Sequence, residues 1–145
     1  MKTAIFPGTF DPFTIGHYDI VMRGLDLFDK IIIGIGKNCT KQALFPIEER
    51  LSSIQKIFAH QSKVQVVAYD GLTIELAKAH GASFILRGVR SVMDFEYERS
   101  LAETNKQIGN IETILLYTKP EYWHISSTLI RDLHQHGIDI TKYLP

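Results

Sequence analysis

The stretch from Pro7 to Ile20, PGTFDPFTIGHYDI, puts Gly16 and His17 where a helix could begin. The first N–H groups of a helix lack intrahelical partners and its dipole is positive at that end, so an anion is welcome there. Glycine lets a phosphate come close, and an imidazole adds a directed donor. The pair therefore suits phosphate chemistry. The plain alternative is a surface histidine on a helix capped by Thr14. Local sequence leaves both readings open, and Thr14 itself is assigned to capping.

A second candidate is Arg87-Gly88-Val89-Arg90, where two arginines flank a glycine. A guanidinium matches phosphate geometry bidentately, so this pattern is hard to read as mere surface. Lys41, taken alone, reads as an ordinary loop lysine, and Glu98 could simply face solvent from a helix. Tyr122 and Trp123 could stack on a base or only cover a sheet edge. Met93, Tyr97 and Leu101 recur at i, i+4 and i+8, which fits core or a subunit contact better than a ligand site.

Other motifs fail. Gly34-Ile35-Gly36-Lys37-Asn38-Cys39 opens like a dinucleotide fingerprint but has cysteine where the third glycine belongs. His134 and His136 lie two apart on a helix and point in different directions, so a metal site is not expected there.

Residues of this kind need strand ends and helix starts to hold them. Thr3–Phe6, Lys30–Ile35, Val64–Tyr69, Ser83–Gly88 and Glu112–Tyr117 read as strands. Helices are expected over His17–Phe28, from Pro46 through Phe58, and over Leu72–His80, Asp94–Ile108 and Ser126–His136, with Gly81 and Gly137 as stops. Strict alternation predicts an α/β fold: a single-domain, Rossmann-like, doubly wound parallel five-stranded sheet with helices on both faces, over residues 1–145. Ligands bind such sheets outside the carboxyl ends of the strands, near a switch in strand order. In this reading Pro7–Gly16, Lys37–Lys41, Gly71–Thr73, Arg87–Arg90 and Pro120–Thr128 follow the five strands in turn and converge on one edge.

The chain has 145 residues, with 16 basic and 16 acidic side chains. A formal charge of zero argues against broad nucleic-acid binding, which calls for a basic face. It leaves room for a small anion held by a few focused cations. Cys39 is the only cysteine, so no internal disulfide forms. No apolar run approaches the roughly 20 residues of a membrane span, and Met1–Phe6 does not read as a signal peptide. A cytoplasmic location is expected.

Thr9 to His17, TFDPFTIGH, resembles the T-x-G-H signature of the nucleotidyltransferase superfamily. Ile125 to Arg131, ISSTLIR, resembles its second signature, a Ser/Thr-rich turn opening the last helix. With Arg87–Glu98 (RGVRSVMDFEYE), Lys41 and the PIEER stretch, nearly the whole chain is similar to the phosphopantetheine adenylyltransferase family. Two departures stand out: Thr128 replaces a common serine, and the chain stops at Pro145 where a further helix is expected.

The resemblance implies adenylyl transfer from ATP to 4′-phosphopantetheine in coenzyme A biosynthesis, without a covalent enzyme intermediate. It implies that His17 binds ATP and stabilises the transition state, with Lys41, Arg90 and Thr128 contributing to catalysis. Thr9, Phe10, Gly88, Val89, Arg90 and Glu98 would bind ATP, as would the run Tyr122, Trp123, His124, Ile125, Ser126, Ser127 and Thr128. Thr9, Lys41, Thr73 and Arg87 would hold the acceptor. Mg²⁺ would ride on the ATP phosphates without a protein cage of its own. A homohexamer and feedback binding of coenzyme A are further implications. Rival readings are another small-molecule nucleotidyltransferase (a cytidylyltransferase or a nicotinamide-mononucleotide adenylyltransferase) and a non-catalytic ATP-binding regulatory module. The Arg87–Glu98 stretch argues against the first, and the presence of His17, Lys41 and both arginines against the second. His17, as a helix-start residue facing a ligand, is expected to contribute little to the core.

Overall fold

The computed structural model describes residues 1–37 and 43–145. Lys41 and Cys39 lie outside them. The chain alternates β1 (Thr3–Gly8), α1 (Ile15–Gly24), β2 (Lys30–Gly36), α2 (Ile47–Ile57), β3 (Val64–Tyr69), α3 (Thr73–Ala79), β4 (Phe84–Val89), α4 (Val92–Gly109), β5 (Glu112–Tyr117) and α5 (Ser127–Gln135). A short 3₁₀ turn, Thr141–Tyr143, follows. The five strands form one sheet in the order β3-β2-β1-β4-β5, and every described pairing is parallel. The expected fold class is therefore what the chain adopts.

Alternation along the strands explains why helices cover both faces. On one face Ala4, Phe6, Ile31, Ile33, Ile35 and Leu86 pack with Ile20 and Val21 of α1 and Ile54 of α2. On the other, Ile5, Ile32 and Ile85 meet Ile74, Leu76 and Ala77 of α3. β2 contributes to both, as a central parallel strand must. A third, smaller cluster joins Ile125 and Ile130 to Ile140, with Tyr122 and Leu144 against it. The C-terminal residues therefore pack onto α5.

Several boundaries differ from expectation by one or two residues, α4 starting at Val92 and β1 running on to Gly8 among them, and α1 differs at both ends. α1 begins at Ile15, two residues early, because Thr14 caps it. It ends at Gly24 rather than Phe28, since the N–H groups of Leu27 and Phe28 both turn back to the Gly24 carbonyl. Gly81 and Gly137 do close α3 and α5, with φ of 65° and 79°, values that glycine adopts without a Cβ clash. Met93 and Tyr97 are 83% and 64% exposed, so the α4 stripe is not core. Among the described residues no helix is long and apolar enough to cross a membrane.

Candidate active site

Strand order reverses between β1 and β4, and two clefts open beyond their carboxyl ends. Pro7, Gly8, Thr9, Arg87 and Glu98 face both. One cleft, about 350 Å³, lies toward α1 and α5 and includes Phe10, Gly16, His17, Gly88, Arg90 and Thr128. The other, about 530 Å³, lies toward α3 and α4 and includes Lys37, Tyr69, Leu72, Thr73, Tyr97 and Leu101. At Gly88 a Cβ would stand 3.1 Å from Ile20, so this glycine lets α1 lie close against β4 and brings His17 to the strand end.

The first cleft gathers two helix N-termini. Thr14 caps α1 through its hydroxyl, which accepts from His17 N–H at 3.4 Å. His17 returns the bond, its Nδ1 accepting from Thr14 N–H at 2.9 Å. This reciprocal pair is a capping box with histidine where glutamate or glutamine usually stands. Ser126 caps α5, accepting from Leu129 N–H at 3.1 Å, and Ser127 Oγ donates to the Pro12 carbonyl at 2.8 Å. Both positive helix ends thus point at one space.

Because Nδ1 accepts a backbone N–H, the proton of a neutral His17 sits on Nε2. The ring is packed against Phe10 and Phe13, with centroids 5.0 and 5.4 Å away. Burial first, and then the positive Arg87 and Arg90, push the imidazole down to about 3. His17 is a neutral donor at physiological pH, not an acid. Its packing also corrects the expectation that it contributes little to the core: an aromatic cage and a helix cap both depend on it.

Linkage gives this a measurable sign. The unfolded imidazole titrates near 6.5 and the folded one near 3, so between those values the unfolded state binds more protons. The contribution is complete above pH 6.5 and is lost as pH falls toward 3. Thermal melts of the wild type should therefore decline more steeply from pH 6.5 to 4 than those of His17→Asn, which cannot titrate. Parallel curves would contradict an imidazole held neutral in the folded protein.

Arg87 is held rather than loose. Its Nε and Nη2 donate to the Glu98 carboxylate at 3.0 and 2.6 Å, and Nη1 donates to the Pro7 carbonyl at 2.6 Å. Glu98 is buried, so it does not simply face solvent. Its first partner here is Arg87. Arg90 lies 3.4 Å from Asp94. Thr73 Oγ1 is 3.0 Å from the Tyr69 hydroxyl in the second cleft.

Of the Tyr122–Thr128 run, Ile125, Ser126, Ser127 and Thr128 line the first cleft. Tyr122 instead packs on the Ile125–Ile130 cluster, and Trp123 is 58% exposed. His124 and Val89 are not among the lining residues, and the Val89 side chain is buried. Sequence reasoning gave no role to Arg131, Thr118 and Asp94 in the first cleft or to Tyr69 and Asn105 in the second, and it placed Lys37 only as part of the loop after the second strand. Arg131 had a signal. It lies three residues after Thr128, one helical turn away, and its Nη2 donates to Thr128 Oγ1 at 3.2 Å. Asp94 likewise follows Arg90 at i+4.

Residues 5–133 match the family model described as cytidylyltransferase-like, which sets the chain among the nucleotidyltransferases. A phosphopantetheine adenylyltransferase of Phocaeicola vulgatus is 54% identical over 145 residues, covering 100% of this chain and 96% of that one. Another, of Bacteroides fragilis, is 49% identical over 145 residues, covering 100% and 97%. The chain belongs to the phosphopantetheine adenylyltransferase family. Its fold is also that of a bifunctional NMN adenylyltransferase/ADP ribose pyrophosphatase from Francisella tularensis, with a TM-score of 0.72 at 20% identity. That match covers 99% of this chain and 44% of the bifunctional one.

Proposed function

We propose that the protein transfers the adenylyl group of ATP to 4′-phosphopantetheine, giving 3′-dephospho-coenzyme A and pyrophosphate. The observation that carries this reading is the wall shared by the two clefts, where Arg87 and Thr9 face both spaces. Two substrates seated on either side of it would meet at the ends of β1 and β4. The first cleft, with its two helix N-termini, suits a triphosphate. The second, with Leu72, Tyr97 and Leu101 among polar groups, suits a long, mixed acceptor.

An oxygen of the acceptor phosphate attacks the α-phosphorus of ATP, and the bond to the β-phosphate oxygen breaks with its electron pair leaving on pyrophosphate. The attacking oxygen is already ionised, so the protein needs no general base. Its work is alignment and charge stabilisation. His17 donates from Nε2 to an ATP phosphate oxygen, and its low proton affinity keeps that donor neutral. Arg90, Glu98 and the residues of the Ile125–Thr128 turn serve the ATP side, with Thr128 and Arg131 at its far wall. Arg87, Thr9 and Thr73 serve the acceptor side, together with Lys41.

Mg²⁺, when bound with ATP, offsets the charge of two polyanions brought together. Among the described residues no group of three His, Cys, Asp or Glu side chains could hold a metal ion. Asp94 and Glu98 both already face arginines, which supports a cation carried on the nucleotide phosphates. The exposed Val92, Met93 and Tyr97 on α4 support assembly into an oligomer, a hexamer in this reading. A cytoplasmic setting and feedback binding of coenzyme A across both clefts complete it. Mass spectrometry of a reaction with ATP and 4′-phosphopantetheine should find dephospho-coenzyme A and an unmodified protein. An adenylylated protein would contradict direct transfer.

A further inference from the structure

The loop between β1 and α1 is braced from beneath by a residue that the site does not contain. Arg50, in the first turn of α2, is only 7% exposed. Its Nη1 donates to the Thr9 carbonyl at 2.7 Å, and its Nε donates to the Phe45 carbonyl at 3.0 Å. Asp11, also buried, accepts from the N–H groups of Leu44 and Phe45 at 2.8 and 2.9 Å. The segment 44–45 is thereby tied to the loop on both sides of Phe10.

Phe10 has φ of 49°, a left-handed conformation costly for a residue with a Cβ unless its surroundings hold it there. That conformation turns its ring over Gly8, where a Cβ would stand 2.8 Å from Phe10 Cζ. The ring then lies edge-on to His17, with centroids 5.0 Å apart and an interplanar angle of 84°. Among the described residues no carboxylate pairs with Arg50. A buried guanidinium satisfied by two carbonyls is an expensive way merely to fill space.

We propose that Arg50 is a positioning residue for His17: its grip on the Thr9 carbonyl keeps Phe10 in its left-handed conformation, and the Phe10 ring fixes the imidazole with Nε2–H toward the cleft. This rests on the reading that His17 serves adenylyl transfer. Arg50 touches neither the reacting atoms nor either cleft's ligand-facing wall.

The test compares wild type, Arg50→Met and Arg50→Lys by steady-state kinetics with ATP and 4′-phosphopantetheine, and by ¹⁵N spectra of histidine-labelled protein. Arg50→Met should lower kcat by about ten- to a hundredfold, as a misplaced catalytic group does, while both KM values change little. Its His17 signals should shift from a single Nε2–H tautomer to a mixture. Arg50→Lys keeps the charge but not the planar fork that spans two carbonyls, so it should recover only part of kcat. If Arg50→Met does not fold, Arg50→Lys decides alone. Failure of both to fold would make Arg50 purely structural and overturn the proposal. So would a wild-type tautomer pattern in a slowed variant, or a raised acceptor KM with kcat unchanged. A wild type that makes no dephospho-coenzyme A would sink the adenylyl-transfer reading instead, and the tautomer comparison would still decide the placement of His17.

Discussion

His17→Ala is expected to cut turnover by about 10²–10³ while the variant still binds ATP. The lost group is a preorganised donor, and a contact that strengthens in the transition state lowers kcat more than it raises KM. The alanine variant should also melt earlier. It leaves Thr14 N–H without its 2.9 Å acceptor and opens a void between Phe10 and Phe13. Together these cost on the order of 2–4 kcal/mol. His17→Asn separates the two effects, since an asparagine oxygen can stand where Nδ1 stands and keep the cap. It should lose turnover nearly as fully as alanine while recovering part of the melting temperature. Near-normal kcat in the asparagine variant would return His17 to a structural role.

The second large effect is at Arg87. Arg87→Ala should weaken use of 4′-phosphopantetheine far more than ATP binding, by roughly ten- to a hundredfold for a lost charge-assisted contact. It should also destabilise the fold, because the buried Glu98 carboxylate is left with no described cation. Breaking a fully buried pair from one side costs about 3–5 kcal/mol, and the loss here should be smaller because the Arg87 side chain is 28% exposed. The double variant Arg87→Ala/Glu98→Gln removes the stranded charge and should be more stable than Arg87→Ala, though no better with the acceptor. Urea unfolding and acceptor KM are the two readouts. A double variant no more stable than the single one would mean the pair is not coupled as the geometry indicates.

The helix starts and strand ends are legible in the sequence because they rest on local rules. Gly16 before His17, the Ser126–Thr128 turn and the strand–helix alternation are enough to place these residues at one sheet edge. The two-faced burial of β2 follows from its unbroken apolar run. What stays hidden depends on contacts distant in sequence. Arg50 enters the sequence reading only as the last residue of the PIEER stretch, and only the fold brings it to Thr9, 41 positions away. The Arg87–Glu98 pair spans 11 residues across a strand–helix turn, so local sequence leaves open whether Glu98 faces solvent or the site. Tyr122 stands out as an aromatic near a nucleotide turn, yet the small cluster under α5 takes it up. Histidine at the third position of α1 reads as a donor. Its second role, as the acceptor half of a capping box, shows only once Thr14 is seen to face it.

Pyrophosphate release from ATP with a panel of phosphorylated acceptors tests the central claim most directly. Release should be fast with 4′-phosphopantetheine, and slow or absent with nicotinamide mononucleotide, with sugar phosphates and with no acceptor. Release with one of those other acceptors and not with 4′-phosphopantetheine would contradict the account.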